Sequence, residues 1–173
     1  MNYINFSKSY HVRMLTERDI PLILRLCEKN EQFYEHCPPF VTEESIRNDM
    51  RVLPQRKMDE PQDKYYLGYF DDAEQLLAVL DFIDHYPTER SCFIGFFMME
   101  RSVQGHGIGS RIITELCGVS AQSGLRVYPA GLRGWQQAKR IVLGKESVHR
   151  YRIEKSHTGL YGRCNEPDAV TDQ

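Results

Sequence analysis

Glycine recurs at alternate positions in one short stretch, SVQGHGIGSR, where Gly105, Gly107 and Gly109 are interleaved with His106 and Ile108 and flanked by Gln104 and Ser110. A backbone free of Cβ atoms can approach a polyanion closely, and a helix starting just after it adds free N–H groups and a partial positive charge. Three glycines exceed what a tight turn requires, so the spacing points to phosphate binding. Two familiar phosphate loops do not fit. A Walker A loop needs Lys and then Ser or Thr after its last glycine, and a dinucleotide fingerprint starting at Gly105 needs glycine or alanine at 110, where Ser110 stands.

The elements around this stretch must place it at a strand-to-helix junction. CFIGFFMM, from Cys92 to Met99, is apolar on both faces, as a central strand is. After the turn, Ile108, Ile112, Leu116 and Val119 recur at helical spacing, and Gly124 suits the helix end. Upstream, KYYLGYF and LLAVLDFI read as two strands of a hairpin joined through DDAEQ. Thr16 caps a first helix with Pro21 in its first turn and Ile20, Ile23, Leu24 and Cys27 on one face. Thr42 caps a second, with Ile46, Met50 and Leu53 as its apolar stripe and Pro54 as its stop. Residues 3–15 carry two short extended runs, while EQFYEHCPPF reads as irregular and QRKMDEPQDK as a surface loop. Downstream of the glycines, LRVYPA predicts a short strand, WQQAKRIVL a last helix, and HRYRIEK with HTGLYGR a terminal hairpin. The whole reads as one domain over 1–163, with 164–173 as a fraying tail.

Composition narrows the classes. The formal charge of -2 argues against a general affinity for nucleic acid. No run approaches the roughly 20 apolar residues of a membrane span, and no signal peptide is evident. Five scattered cysteines without a C-x-x-C pair fit a reducing cytoplasm, and the six histidines show no ligand spacing, so no metal is expected.

The pattern Q-x-x-G-x-G, here Gln104, Gly107 and Gly109, set between a buried strand and an amphipathic helix, resembles the acyl-CoA-binding signature of the GNAT acetyltransferase superfamily. The order of elements resembles that family over roughly residues 10 to 163. The resemblance implies an α/β fold with a mixed, mostly antiparallel central sheet, splayed after its fourth main strand, and helices on both faces. It implies acetyl-CoA as co-substrate, its pyrophosphate on backbone N–H groups of Gln104, Gly105, His106, Gly107, Ile108, Gly109 and Ser110. The pantetheine arm would pair with Phe97, Met98 and Met99, where a bulge opens the sheet. The activity implied is N-acetyl transfer to a primary amine of a small molecule. A CoA-binding sensor without catalysis and a protein Lys or N-terminal acetyltransferase stand as alternatives, and a homodimer stays open as the assembly.

Acetyl transfer needs a neutral amine, a polarised thioester carbonyl and a stabilised leaving thiolate. Asp81 interrupts the apolar run LLAVLDFI, so burial could raise its pKa into a range useful for a base, and it is the catalytic candidate. Asp84, His85, Glu31, Glu35 and His36 are further candidates. The family's last-helix tyrosine maps to Val142, which leaves Tyr128 and Tyr151 as substitutes for a general acid. Cys92 and Cys117 sit in apolar periodic runs and read as core rather than nucleophiles. Seven basic residues between Arg133 and Lys155 read mainly as a solvated face that could meet the 3′-phosphate of CoA.

Overall fold

Tyr, Leu, Val and Phe fill KYYLGYF and LLAVLDFI, side chains suited to a pleated, buried surface, and both segments are strands in the computed structural model, which describes residues 3, 4, 6–36 and 38–129. In chain order the elements are β1 (His11–Met14), α1 (Ile20–Glu28), α2 (Glu31–His36), α3 (Glu43–Asp49), β2 (Lys64–Phe70), β3 (Leu76–Ile83), β4 (Ser91–Met99), α4 (Ile108–Gln122) and β5 (Arg126–Pro129). The strands lie side by side in chain order, the first four antiparallel. Helix α4 carries the chain back so that β5 runs parallel to β4.

Two buried clusters occupy the two faces of the sheet. On one, Ile112, Ile113 and Leu116 of α4 meet Leu67, Leu80, Cys92, Phe97 and Met99. On the other, Ile20, Ile23, Leu26 and Cys27 of α1 and Ile46 of α3 meet Tyr66, Val79, Phe96 and Met98. Side-chain alternation along β4 sends Phe97 and Met99 to one cluster and Phe96 and Met98 to the other. The mixed sheet with helices on both faces is thus the architecture expected from the sequence.

Local signals acted as their chemistry dictates. The Thr42 hydroxyl accepts from the Ser45 N–H at 3.1 Å. Gly124 adopts φ 73° just after α4, which lets the Leu125 N–H reach the Ser120 carbonyl at 3.0 Å. Some expectations need correction. The segment EQFYEHCPPF is not wholly irregular, since Glu31–His36 forms α2. Leu26 rather than Leu24 completes the buried face of α1, and α3 ends before Leu53. Among the described residues of 3–15, one strand forms, β1, in place of two extended runs. Tyr3 instead drives its fully buried ring edge-on against Tyr65 and Phe82. The 55–63 segment carries two 3-10 turns around buried Lys57, which is ion-paired to Glu60 and Asp63. The last helix and terminal hairpin lie outside the described residues. Among the described residues no helix is long and apolar enough to cross a membrane.

At the start of the α1 layer, Arg13 grips Asp19 through two bonds, Nη1 to Oδ2 at 3.0 Å and Nη2 to Oδ1 at 2.7 Å. The guanidinium, helped by the Thr16 N–H, holds the Asp19 carboxyl down at about 2. Because the folded value lies below the ordinary 3.8, this contribution is complete above 3.8 and fades as pH falls toward about 2. Urea unfolding should show Arg13→Met less stable than wild type above that window, with the difference shrinking below it. A difference independent of pH would refute the assignment.

Candidate active site

The open edge of β4 is the first component. The Glu100 N–H donates to the Leu77 carbonyl at 2.8 Å, and antiparallel alternation then directs the Met98 backbone toward β3 and those of Phe97 and Met99 away from it. Strand β5 pairs with β4 only from Ser91 opposite Arg126 to Ile94 opposite Pro129. Beyond Ile94, that edge has no strand partner among the described residues. A bulge follows directly within β4. Asp81 pairs with Phe96 and Phe82 with Ile94, which leaves Gly95 as the extra residue. The bulge therefore lies at Gly95, two residues before the Phe97–Met99 segment to which the family resemblance assigned it.

The glycine turn is the second component. A 3-10 turn, Arg101–Val103, leads to Gln104. Gly105 and Gly107 then take φ 82° and 78°, a left-handed backbone that only glycine adopts at low cost, with open space over both. Gly107 is the N-cap of α4 and brings no side chain to it, so the N–H groups of Ile108, Gly109 and Ser110 begin the helix without intrahelical acceptors. Gly109 is a glycine for another reason: a Cβ there would stand 2.6 Å from Met99 Sδ and 3.5 Å from Phe97. The lack of a side chain at 109 lets α4 close onto β4. Gly105, His106 and Gly107 are exposed, and Gln104, Ile108, Gly109 and Ser110 half-buried. Gln104 turns its side chain inward, its Nε2 donating to Asn30 Oδ1 at 2.7 Å and to the Met99 carbonyl at 3.1 Å. An anion would therefore meet backbone here, not the glutamine side chain.

Asp81 lies beside the bulge. Its carboxylate would touch a Cβ at Gly95, with Oδ2 at 3.0 Å. The residue is buried, and Lys64 Nζ, also buried, lies 2.8 Å from Oδ1 and 2.9 Å from Oδ2. Hydrogen-bond geometry is met at Oδ2, and Oδ1 has no hydrogen bond of its own. Burial pushes the Asp81 carboxyl above its ordinary value while Lys64 pulls it back. Glu31 and Glu35 are exposed on α2, whose Phe33 ring packs edge-on against Phe96. Asp84, the residue after β3 ends at Ile83, is buried and accepts from the Cys92 thiol at 3.1 Å. Burial, reinforced by Asp84, pushes that thiol up to about 12, and burial pushes Cys117 up to about 11. Neither cysteine is poised as a nucleophile, as their apolar setting in the sequence suggested.

Tyr128 is half-buried on β5. Trp135, Val142, Tyr151 and the basic segment 133–155 lie outside the described residues, as does the His36 side chain. Among the described residues no group of three His, Cys, Asp or Glu side chains is arranged to hold a metal. Lys64, Gly95 and Asn30 were missed. A glycine inside an apolar strand is a recognisable bulge signal, whereas nothing local marks Lys64 or Asn30.

With this geometry established, residues 26–131 match the family model described as the acetyltransferase (GNAT) family. A comparison with curated protein sequences gives no match. Among solved structures, the chain is similar to an acetyltransferase from Salmonella typhimurium that modifies the N-terminal serine of ribosomal protein L7/L12, at 20% identity over 81% of this chain and 83% of that one, with a TM-score of 0.56. It is similar to an acetyltransferase from Thermus thermophilus, at 16% identity over 76% and 81%, with a TM-score of 0.55. It is also similar to the spermidine N-acetyltransferase of Vibrio cholerae in complex with CoA and spermine, at 16% identity over 70% of each chain, with a TM-score of 0.52. At these identities the structural likeness speaks for the fold.

Removing the cation from a buried pair strands the partner charge. Lys64→Met should therefore cost about 3–5 kcal/mol in urea unfolding, with much of it recovered in Lys64→Met/Asp81→Leu. A loss below roughly 0.5 kcal/mol, the size of an ordinary surface change, would show that the pair is not buried as described.

Proposed function

The chain belongs to the GNAT acetyltransferase family and is an acyltransferase, and from that premise we propose that it moves acetyl from acetyl-CoA to the primary amine of a small molecule by direct attack on the thioester. One observation carries the reading. The uncapped start of α4, opening from a glycine turn with clear space above it, lies directly after a strand that bulges at Gly95 and whose outer edge beyond Ile94 has no strand partner among the described residues. The first is a cradle for the pyrophosphate of CoA, and the second a strip of backbone for its pantetheine amides.

The N–H groups of Ile108, Gly109 and Ser110, with the backbone of Gly105 to Gly107, would hold the diphosphate. On β4, the Phe97 N–H and C=O and the Met99 N–H would meet the pantetheine arm, since the Met98 backbone faces β3 and the Met99 carbonyl already accepts two side-chain bonds. The amine lone pair attacks the carbonyl carbon, the C–N bond forms, and the C–S bond breaks with its electron pair leaving on the CoA sulfur. The proton shed by nitrogen goes to the Asp81 carboxylate through water, and Lys64 keeps that carboxylate ionised until then. The half-buried rings of Phe33 and Tyr34, the exposed acids of α2 and the buried Asp81 together suit a cationic amine.

Incubation with acetyl-CoA and a panel of amines, read as thiol release, tests the reaction. Release with peptide amines only would move the acceptor to protein, and CoA binding without release would make the chain a sensor. Gly107→Glu places a carboxylate over the cradle and should abolish acetyl-CoA binding in calorimetry; undiminished affinity would remove the cradle from this role. Asp81 acts as base only when ionised, and burial raises its value, so the rate should climb with pH along an acid limb displaced above 3.8. Asp81→Asn should lower the rate and erase that limb, and an unchanged profile would exclude Asp81.

A further inference from the structure

Asn30 is a buried polar residue in the corner between α1 and α2, and none of the anion-cradle or proton-transfer chemistry above uses it. Its side chain is engaged on both sides. Nδ2 donates to the Leu26 carbonyl at 2.8 Å and to the Met99 carbonyl at 3.0 Å, and Oδ1 accepts from Gln104 Nε2 at 2.7 Å. The two carbonyls require a nitrogen facing them, so the amide has one orientation and Oδ1 must face Gln104. Gln104 closes the ring by donating from the same Nε2 to the Met99 carbonyl at 3.1 Å. Around this ring, Lys29 Nζ lies 3.1 Å from Glu100 Oε2, and Arg101 Nη1 reaches Gln32 Oε1 at 3.5 Å.

Three parts of the proposed site meet at this residue: the α1–α2 corner that carries Phe33 against Phe96, the last residue of β4, and the first residue of the glycine turn. We infer that Asn30 is a positioning residue that locks the acceptor-side corner to the CoA-binding turn, so that the turn is held in its binding geometry from the opposite face of the sheet. This rests on the CoA reading given above. The chemistry selects asparagine. Aspartate would place an acceptor against two carbonyls, and alanine would leave both the Met99 carbonyl and Gln104 short of a partner. Neither Asn30 nor the Gln104 side chain need touch the co-substrate; both act through the backbone between Met99 and Gly107.

The test is CoA binding by calorimetry on the full chain, with wild type, Asn30→Ala, Gln104→Ala and the double variant, alongside thermal unfolding. Each single change should weaken CoA binding about tenfold, the equivalent of one hydrogen bond, and the double variant should be no weaker than the worse single, because the two residues act as one unit. Thr42→Ala, which removes a distant helix cap, should lower the unfolding temperature without moving CoA affinity, separating position from stability. Should Asn30→Ala fail to fold, Gln104→Glu at a half-buried site carries the test, since it sets a carboxylate against Asn30 Oδ1 and the Met99 carbonyl and should weaken CoA binding at least as much. Affinity within twofold of wild type, or strictly additive losses, would overturn the clamp while the CoA reading stands. No CoA binding by wild type would overturn that reading and this inference together.

Discussion

Strand β4 is paired along one edge from Phe93 to Met99, interrupted at Gly95, and, among the described residues, along the other from Ser91 to Ile94. Backbone N–H and C=O groups buried without partners are costly, so an interior strand with an open edge needs something to meet it. At Met99 the protein meets part of that demand itself, through the amides of Asn30 and Gln104. At Phe97 the described residues supply no strand, and an extended amide-bearing ligand would complete the ladder. The Gly95 bulge makes this geometry, since one unpaired residue changes the strand's direction while Phe96 to Met99 keep feeding both hydrophobic clusters.

The turn that follows depends on the same strand. Its glycines divide the work between conformation and packing: Gly105 and Gly107 are there for positive φ, and Gly109 for the close approach of α4 to Met99 and Phe97. That approach sets the height of the helix N-terminus against the open edge. The glycine turn and the β4 edge are thereby held in one body, which would preorganise both for the ligand proposed above.

Charge at the bulge is balanced rather than removed. Asp81 and Lys64 are buried together beside the Gly95 bulge, an arrangement that contributes little net stability. Cys92 and Asp84, just past the Ile83 end of β3 and next to the Asp63–Lys64 segment, show the contrasting outcome: a buried thiol bonded to a carboxylate is held protonated and inert.

Much of this was legible in the chain itself. Periodicity located β2, β3, β4 and α4, Thr42 and Gly124 marked helix ends, and the alternating glycines after an apolar strand marked the turn into α4, because these signals are local and act through backbone conformation and burial of neighbouring residues. Helix α2 was not legible, since a six-residue helix beside two prolines has too little periodicity to separate from loop. What only the tertiary structure decided are relations between distant positions: Lys64 against Asp81, and Asn30 reaching across 69 residues to the Met99 carbonyl. Spacing in sequence encodes which face a residue shares with its neighbours. It carries no record of which strand register or loop closure will bring two remote polar groups within hydrogen-bond distance, because that follows from how the two hydrophobic faces of the sheet are filled.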